Sequence, residues 1–406
     1  MLYIFKSTKM SCFLLSVLFI SPMNIQASSI QPPLKKRIIK AKKISRVTLQ
    51  EKIGQMLIVS FHGTSPSDHS VKRLKTQMQK GLVSGCIYFK ENIQNKNQYL
   101  SLSTFLTQSK SKYKLLFAAD LEGGKVNRFK SIEGLSEDFF LSPLAIAQKY
   151  KNTSFEKYDY GQIKNYYLEI AAKIKDLKIN YNFAPTVDVH DSECPVIGKF
   201  GRSFSKSSAE VTAFARIFIQ AMQQNNILCC LKHYPGHGRS KGDSHIGFVD
   251  VTAFHRNDEL IPYQILTSPN HNTTVDSIML SHVVHKRIDS LNPTSLSPIH
   301  VSNIRKHYDG VLVSDDMIMG AILKRNPDWR KALADGIVQA INAGVNIIII
   351  SEMPYSTKDN KKYPAIKNLV DFFHRTVQKA IKDKKIDIQR IDDSFTRIIN
   401  MKKRLP

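Results

Sequence analysis

From residue 48 onward the chain alternates short apolar runs with stretches of helical periodicity. Most of the apolar runs are continuous rather than alternating, which is typical of strands buried on both faces of a parallel sheet. The runs occupy residues 55–61, 82–89, 114–120, 179–189, 227–233, 277–284, 310–314 and 345–351. Helical patterns lie between several of them, including residues 166–177, 209–225 and 329–343. The pattern therefore predicts an α/β protein.

The number of runs favours one particular α/β architecture. Eight strand–helix repeats in a single domain predict a (β/α)8 barrel of the TIM type. A doubly wound open sheet is the alternative arrangement of the same elements. The first helix is expected to begin after Thr48, because Thr48 and Glu51 form a capping-box pattern. We thus expect one folded domain over residues 48–406.

The first 27 residues have the pattern of a secretory signal peptide. Lys6 and Lys9 precede an apolar run at residues 13–20, and the sequence around Ala27 offers a small-residue cleavage site. A buried N-terminal helix is the alternative. No segment reaches the roughly 18 apolar residues needed to span a bilayer. The chain is therefore predicted to be periplasmic or secreted, without a stable membrane anchor once the signal peptide is cleaved.

The chain is strongly basic. Its 406 residues include 59 lysines and arginines against 34 acidic residues, which gives a net charge of +25. A dense basic run comprises Lys35, Lys36, Arg37, Lys40, Lys42, Lys43 and Arg46. No nucleic-acid-binding motif accompanies this run, so we interpret residues 28–47 as a solvated linker and expect no nucleic-acid partner. The positive charge still favours electrostatic contact with an anionic cell envelope.

Cysteine usage excludes two classes of protein. Cleavage after Ala27 would leave Cys86, Cys194, Cys229 and Cys230. Four cysteines in so long a chain do not form a disulfide scaffold, and their pairing is not readable from the sequence. No pair has the CxxC spacing of a thiolate metal site.

Titratable residues recur where the predicted strands end. They are Asp120, Asp188, Lys232 with His233, His282 and Asp315. The active site of a TIM barrel lies at the carboxyl ends of its strands. The recurrence of these residues at one rim therefore predicts a functional site there.

The segment at residues 231–245, LKHYPGHGRSKGDSH, is the densest in chemistry. Asp243 and His245 are two residues apart after a glycine-rich loop, so the carboxylate can orient and polarise the imidazole as a general acid/base. The same two residues, together with His233 or His237, could instead be metal ligands. The glycines predict that the loop moves over a bound substrate.

Several motifs together resemble glycoside hydrolase family 3, in the single-domain β-N-acetylglucosaminidase type. The motifs are LQEKIGQML at residues 49–57, DLEGGKVNRF at 120–129, NFAPTVDV at 182–189, GRSF at 201–204, KHYPGHG with DSH at 232–245, SHVV with PTSLS at 281–297, VSDDMIMGA at 313–321 and the final helix at 391–405. Ile318 and Met319 depart from the family pattern, which changes the loop contacts expected after the SDD motif. The resemblance implies that residues 48–406 form the family's catalytic barrel.

The resemblance also implies a role for individual residues. Asp315 matches the catalytic nucleophile, and His245, with Asp243 as its partner, matches the acid/base. The residues that match sugar-holding positions are Asp120, Arg128, Arg202, Lys232 and His233. His282 either lines the site or fills a pocket at the strand end. Neither a metal nor another cofactor is implied.

The hypothesis that follows is a retaining β-N-acetylhexosaminidase. It would act on peptidoglycan fragments or chitin-like oligosaccharides, through a covalent intermediate on Asp315. One alternative is a β-N-acetylglucosaminide phosphorylase, since a histidine acid/base tolerates an incoming phosphate anion. Another is a non-catalytic barrel that binds cell-wall glycan. The expected partner is the oligosaccharide substrate, and the expected state is a monomer.

Overall fold

A computed structural model of the chain describes residues 47–152, 157–269, 273–352, 355–356, 362–363 and 366–406. The predicted signal peptide at residues 1–27 and residues 28–46 of the predicted linker lie outside the described residues. Residues 47–406 form one compact unit. No helix of the described part is long and apolar enough to cross a membrane.

Eight parallel strands close into a barrel in chain order. They are β1 (Leu57–Val59), β2 (Gly85–Tyr88), β3 (Leu116–Ala119), β4 (Tyr181–Asn182), β5 (Leu228–Tyr234), β6 (Ser277–Leu280), β7 (Val311–Asp316) and β8 (Ile347–Ile350). Each lies within or overlaps one of the eight apolar runs. The prediction of a (β/α)8 barrel is therefore confirmed, and the open sheet is not formed.

The strands are apolar because both of their faces are covered. In β8, all four consecutive isoleucines are buried. Alternate residues of such a strand point into the barrel and toward the surrounding helices, so neither face contacts water. Most of the buried apolar side chains of strands and helices belong to one continuous core.

Helices follow or precede the strands around the barrel. They are α1 (Leu49–Gln55), α2 (His69–Gln79), α3 (Lys96–Thr107), α4 (Pro143–Lys149), α5 (Tyr160–Asp176), α6 (Ser208–Gln224), α7 (Ile261–Leu266), α8 (Pro298–Arg305), α9 (Gly320–Leu323), α10 (Trp329–Ala343), α11 (Leu369–Lys382) and α12 (Ile388–Lys402). Thr48 caps α1 through the predicted capping box with Glu51. The three helices predicted from periodicity correspond to α5, α6 and α10.

The last helix is tied to the first strands by a buried lysine. Lys402 of α12 donates hydrogen bonds from Nζ to Gln55 Oε1 at 2.7 Å and to the carbonyl of Ser84 at 3.1 Å. Burial lowers the pKa of Lys402 to about 7. The contact joins α12 to the chain segments that flank β1 and β2.

A short hairpin after β3 adds to the carboxyl end of the barrel. Its strands are Leu121–Gly123 and Val126–Asn127, and it carries Glu122 and Arg128 next to Asp120. Two further two-stranded hairpins pair Lys151–Asn152 with Lys157–Tyr158 and Tyr355–Ser356 with Lys362–Tyr363. Within the described part of the chain, three peptide bonds are cis: Ala184–Pro185, Lys232–His233 and Tyr234–Pro235.

Candidate active site

A cavity of about 390 Å³ opens at the carboxyl ends of the strands. Its volume suits a small-molecule ligand such as a monosaccharide. The lining residues are Ile87, Phe89, Glu91, Asp120, Arg128, Phe183, His245, Met279, Asp315, Asp316, Ile318, Met319, Ile349 and Ser351. Four of the predicted site residues, Asp120, Arg128, His245 and Asp315, are therefore brought together around one space.

Asp315 lies near the end of β7 and presents its carboxylate to this cavity. Its Oδ1 accepts a hydrogen bond from the Asp316 amide at 2.8 Å. Burial acts to raise the pKa of Asp315, but nearby imidazoles, His282 foremost, and the Asp316 amide lower it below its ordinary value. The carboxylate is thus ionised at neutral pH, as a nucleophile requires.

His245 and Asp243 form the predicted dyad. His245 Nδ1 lies 2.8 Å from Asp243 Oδ1, which also accepts a hydrogen bond from the His245 amide at 2.9 Å. Because a carboxylate only accepts, Nδ1 carries a proton. Burial acts to lower the pKa of His245, but the hydrogen bond to Asp243 and the charges of Asp315 and Asp243 raise it above its usual value. The imidazole is therefore suited to give up a proton near neutral pH.

The loop that carries the dyad is held by His237 on one side. His237 Nδ1 lies 2.6 Å from Ser240 Oγ, and Nε2 lies 3.2 Å from Ser244 Oγ. Ser240 Oγ in turn donates to the carbonyl of Gly242 at 3.2 Å. One imidazole thus anchors the chain on both sides of Asp243. His237 is buried, and burial lowers its pKa to about 4, so the anchor is neutral at physiological pH.

The same loop is held on its other side by the start of α9. The amide of Gly320 donates to the carbonyl of His245 at 3.0 Å, and the amide of Ala321 donates to the carbonyl of Ser244 at 3.1 Å. Since α9 follows Asp315 closely in the chain, these bonds link the loop of His245 to the segment that follows Asp315.

Asp120 is held by two cations. Lys232 Nζ lies 2.8 Å from Asp120 Oδ1, and Arg128 Nη2 lies 3.0 Å from Asp120 Oδ2. Burial acts to raise the pKa of Asp120, but the charges of Lys232 and Arg128 lower it to about 2. The carboxylate is therefore a permanent acceptor in the cavity wall, able to bind sugar hydroxyls.

Lys232, Arg202 and His233 are not among the lining residues and lie behind the wall. Lys232 Nζ contacts Glu122 Oε1 at 2.6 Å, and Arg202 binds the same carboxylate through Nε at 2.8 Å and Nη2 at 2.7 Å. Arg202 Nη2 also donates to His233 Nε2 at 3.2 Å. Because that nitrogen accepts, His233 Nδ1 carries the proton it donates to Asp188 Oδ2, 2.7 Å away.

His282 supports the end of β7 from behind. Its Nε2 lies 3.0 Å from the carbonyl of Asp316, so Nε2 is the donor, and its Nδ1 lies 2.6 Å from Ser295 Oγ. Burial lowers the pKa of His282. Of the two positions left open by the sequence, the structure places His282 in the strand-end pocket rather than in the cavity wall.

Several residues that the structure places in the site were not assigned from the sequence. Glu122 is one, although its spacing of two from Asp120 at a strand end was a usable signal. Asp188 was noted at a strand end, but its partner His233 follows only from the fold. Asp316, held by Ser351, has its pKa raised to about 6 by burial. Phe89 and Glu91, just after β2, also line the cavity.

The alternative metal site would need His233 or His237 beside the dyad. The ring nitrogens of His233 contact Asp188 and Arg202, while those of His237 contact two serines. Among the described residues, no group of three or more His, Cys, Asp or Glu side chains is arranged to hold a metal ion.

Comparison with known proteins gives consistent matches. A model described as the glycosyl hydrolase family 3 N terminal domain matches residues 48–401. A beta-hexosaminidase A of Pseudoalteromonas piscicida is 30% identical over 355 residues, which are 80% of this chain and 54% of that protein. A beta-hexosaminidase of Methylococcus capsulatus is 30% identical over 283 residues, which are 67% of this chain and 77% of that protein.

The chain also resembles a solved structure of glycoside hydrolase family 3. A glycoside hydrolase family 3 beta-N-acetylglucosaminidase from Paenibacillus sp. str. FPU-7 superposes with a TM-score of 0.72 at 27% sequence identity, covering 88% of this chain and 63% of that one. The chain thus spans about half the length of the Pseudoalteromonas relative and less than two thirds of the Paenibacillus protein. Since the family model matches most of the chain, the protein belongs to glycosyl hydrolase family 3.

Proposed function

We propose that the protein is a retaining β-N-acetylhexosaminidase that releases terminal β-linked N-acetylglucosamine from peptidoglycan fragments or chitin-like oligosaccharides. The observation that carries the proposal is that an ionised Asp315 and a dyad-held His245 line one sugar-sized cavity. The names of the relatives, beta-hexosaminidases and a beta-N-acetylglucosaminidase, support the choice of sugar.

The reaction proceeds in two displacements. In the first, a carboxylate oxygen of Asp315 bonds to the anomeric carbon while the bond from that carbon to the leaving oxygen breaks. His245 gives its proton to that oxygen, and Asp243 stabilises the charge and orientation of the ring. In the second, water gives a proton to His245, and its oxygen replaces Asp315 at the anomeric carbon with overall retention.

The other residues bind and orient the sugar. Asp120 and Arg128 offer an acceptor and a forked donor in the cavity wall. Lys232 and Arg202 hold Asp120 and Glu122 in place from behind. The apolar remainder of the wall includes Phe89 and Phe183.

The nucleophile is tested by replacing Asp315 with alanine. Hydrolysis of an aryl β-N-acetylglucosaminide is expected to fall at least about a thousandfold, since no covalent intermediate can form. Asp335→Asn, which removes an exposed carboxylate of α10, is the matched control and should retain wild-type activity. Undiminished turnover by the Asp315 variant would overturn the assignment.

The proposal also covers the molecule that accepts the glycosyl group, water or phosphate, and the compartment in which the protein acts. Release of free N-acetylglucosamine in phosphate buffer supports hydrolysis, whereas release of the sugar 1-phosphate would identify a phosphorylase. We further propose that the protein acts outside the cytoplasm, on the basis of the signal-peptide pattern in residues 1–27. N-terminal sequencing of the mature protein tests this, with Ser28 expected as the first residue.

A further inference from the structure

One acidic side chain of the cavity wall, Glu91, has no part in the proposed reaction. It lies in the turn just after β2 and lines the cavity. Its side chain is 44% exposed, so its carboxylate is accessible to a bound molecule. Lys90 forms an ion pair with it at 3.9 Å, but the lysine side chain is 76% exposed. A pair at this distance between exposed side chains neutralises little of the charge.

The turn that carries Glu91 is held in place by a buried asparagine. Asn92 Oδ1 accepts a hydrogen bond from the Phe89 amide at 3.0 Å. Asn92 Nδ2 donates to the carbonyls of Phe61 and Gly63 at 2.9 and 3.0 Å. The backbone at Glu91 is therefore fixed at the edge of the barrel.

The other three acidic side chains that line the cavity are compensated more closely. Asp120 is held by two cations at 2.8 and 3.0 Å. Asp315 accepts a hydrogen bond from a backbone amide at 2.8 Å. Asp316 accepts hydrogen bonds from the amide and the hydroxyl of Ser351. Among the described lining residues, Glu91 thus carries the least compensated acidic charge.

The cations of the site are already engaged elsewhere. Arg128 and His245 in the wall, and Lys232 and Arg202 behind it, are each paired with another carboxylate. Glu91 therefore adds an accessible negative charge to a wall in which four acidic side chains are set against two basic ones.

The turn lies on the side of the cavity that is proposed to bind the transferred sugar. The Arg128 guanidinium lies over the Phe89 ring, 5.4 Å from its centre. Phe89 precedes Glu91 by two residues, so the turn lies beside the Asp120–Arg128 pair. Because a Coulomb interaction extends over several ångströms, a charged substituent on a sugar held by this pair is within range of the Glu91 carboxylate.

We infer that Glu91 sets a charge preference for the transferred sugar, so that a cationic substituent is favoured over an anionic one. A protonated amine, as in glucosamine, donates hydrogen bonds to a carboxylate, whereas a phosphate group is repelled by it. In the proposed mechanism the nucleophile is the Asp315 side chain, so a sugar without the acetyl group lacks no catalytic group. This inference rests on the proposed function and narrows it to terminal sugars that are N-acetylated or carry a free amine and bear no acidic substituent.

The inference is tested by the binding of three monosaccharides that differ in charge. They are N-acetylglucosamine, glucosamine and N-acetylglucosamine 6-phosphate, titrated in ligand-observed NMR at about pH 6.5, where the amine of glucosamine is protonated. Each sugar is compared with itself between the wild type and Glu91→Gln, so the contacts that the acetyl group makes cancel.

Opposite shifts are expected for the two charged sugars. In Glu91→Gln the dissociation constant should fall about fivefold for the 6-phosphate and rise about fivefold for glucosamine, because glutamine keeps the shape of the side chain without its charge. The value for neutral N-acetylglucosamine should change less than about twofold. Charge reversal in Glu91→Lys should enlarge both shifts.

Two controls separate the local charge from other effects. Glu169→Gln removes an exposed carboxylate of α5 and changes the net charge equally, so it should leave all three dissociation constants unchanged. Added salt should reduce the difference between the two charged sugars more in the wild type than in Glu91→Gln.

Shifts of the same sign for both charged sugars, or no shift for either, would refute the charge preference. The titrations need no turnover, so such a result leaves the proposed function standing. The proposed function fails instead if the wild type does not hydrolyse an aryl β-N-acetylglucosaminide.

Discussion

At the scale of single residues, the pKa values of Asp243, His245 and Asp315 depend on one another. Asp243 and Asp315 both raise the pKa of His245, while the His245 ring is one of the groups that lower the pKa of Asp315. Asp315 and His245 therefore stabilise each other's ionic forms, which are the forms that the proposed first displacement needs. Such coupling is a property of the group rather than of any one side chain.

Replacing Asp243 with asparagine should change the pH dependence of the reaction. In the proposed mechanism the wild-type rate falls at high pH once His245 loses its proton, and the raised pKa of His245 moves this alkaline limb to higher pH. Without the Asp243 charge, the pKa of His245 drops, so the alkaline limb of kcat/KM should move to lower pH. The acid limb, set by Asp315, should move much less. An unchanged alkaline limb in Asp243→Asn would show that Asp243 does not tune the acid.

At the scale of elements, the loop that carries Asp243 and His245 is positioned from two sides, by the His237 side chain and by the start of α9. Proton transfer needs the donor within hydrogen-bond reach of the leaving oxygen, whereas sugar binding by Asp120 and Arg128 does not involve this loop. Loosening the anchor should therefore affect turnover more than binding.

Replacing His237 with alanine tests this anchor. The contacts to Ser240 and Ser244 are lost, so kcat for a poor leaving group, such as an unactivated alkyl glycoside, should fall about ten- to a hundredfold with little change in KM. A dinitrophenyl glycoside, which leaves without protonation, should be nearly unaffected. His300→Ala is the control, because His300 is buried but neither of its ring nitrogens has a hydrogen-bond partner. Equal losses on both substrates would indicate general damage to the fold.

Strands and helices could be predicted wherever the local pattern of apolar residues is enough to identify them. The eight apolar runs located the strands, but the run at 179–189 contains only the two-residue β4. Pro185 lacks the amide proton that a longer ladder would need. Helix α5 begins at Tyr160, six residues before the predicted start at residue 166. The prediction missed the first turn because it contains one buried residue, Ile163, and so shows little apolar periodicity.

The part of the site that could be predicted from the sequence consists of residues whose own side chains suit the chemistry. Asp315, His245 and Asp120 line the cavity, as expected from strand ends and motifs. Glu122 was missed, and the pairing of Asp188 with His233 was not foreseen, because Glu122 contacts Arg202 and Asp188 contacts His233 across 80 and 45 residues of the chain. Local spacing carries no signal for such contacts. The proposed movement of the 231–245 loop remains a prediction.

At the scale of the whole molecule, the buried Lys402 links stability to pH. Its pKa is about 7 in the folded chain and about 10.4 when unfolded, so the unfolded state binds more protons between these values. Its contribution to the free energy of unfolding should therefore rise with pH across this window, by at most about 1.4 kcal/mol per pH unit.

Replacing Lys402 with methionine should remove this slope. Denaturant unfolding at pH 7 and pH 9.5 is expected to show a smaller rise in stability for Lys402→Met than for the wild type, and the variant should be the more stable of the two at pH 7. Lys403→Met, which replaces an exposed neighbour, is the matched control. Parallel pH profiles for wild type and Lys402→Met would show that the buried amine does not titrate as described.

The contact between α9 and the loop that carries His245 restricts the substitutions that the protein can tolerate at Gly320. A Cβ on Gly320 would lie 2.3 Å from the carbonyl oxygen of Ile246 and 2.8 Å from that of His245, too close for either main chain to stay in place. The close approach of the His245 loop to the start of α9 thus depends on the absence of a side chain at Gly320. A variant that keeps every acidic and histidine side chain of the site should therefore still lose activity when Gly320 is replaced, although Gly320 does not line the cavity.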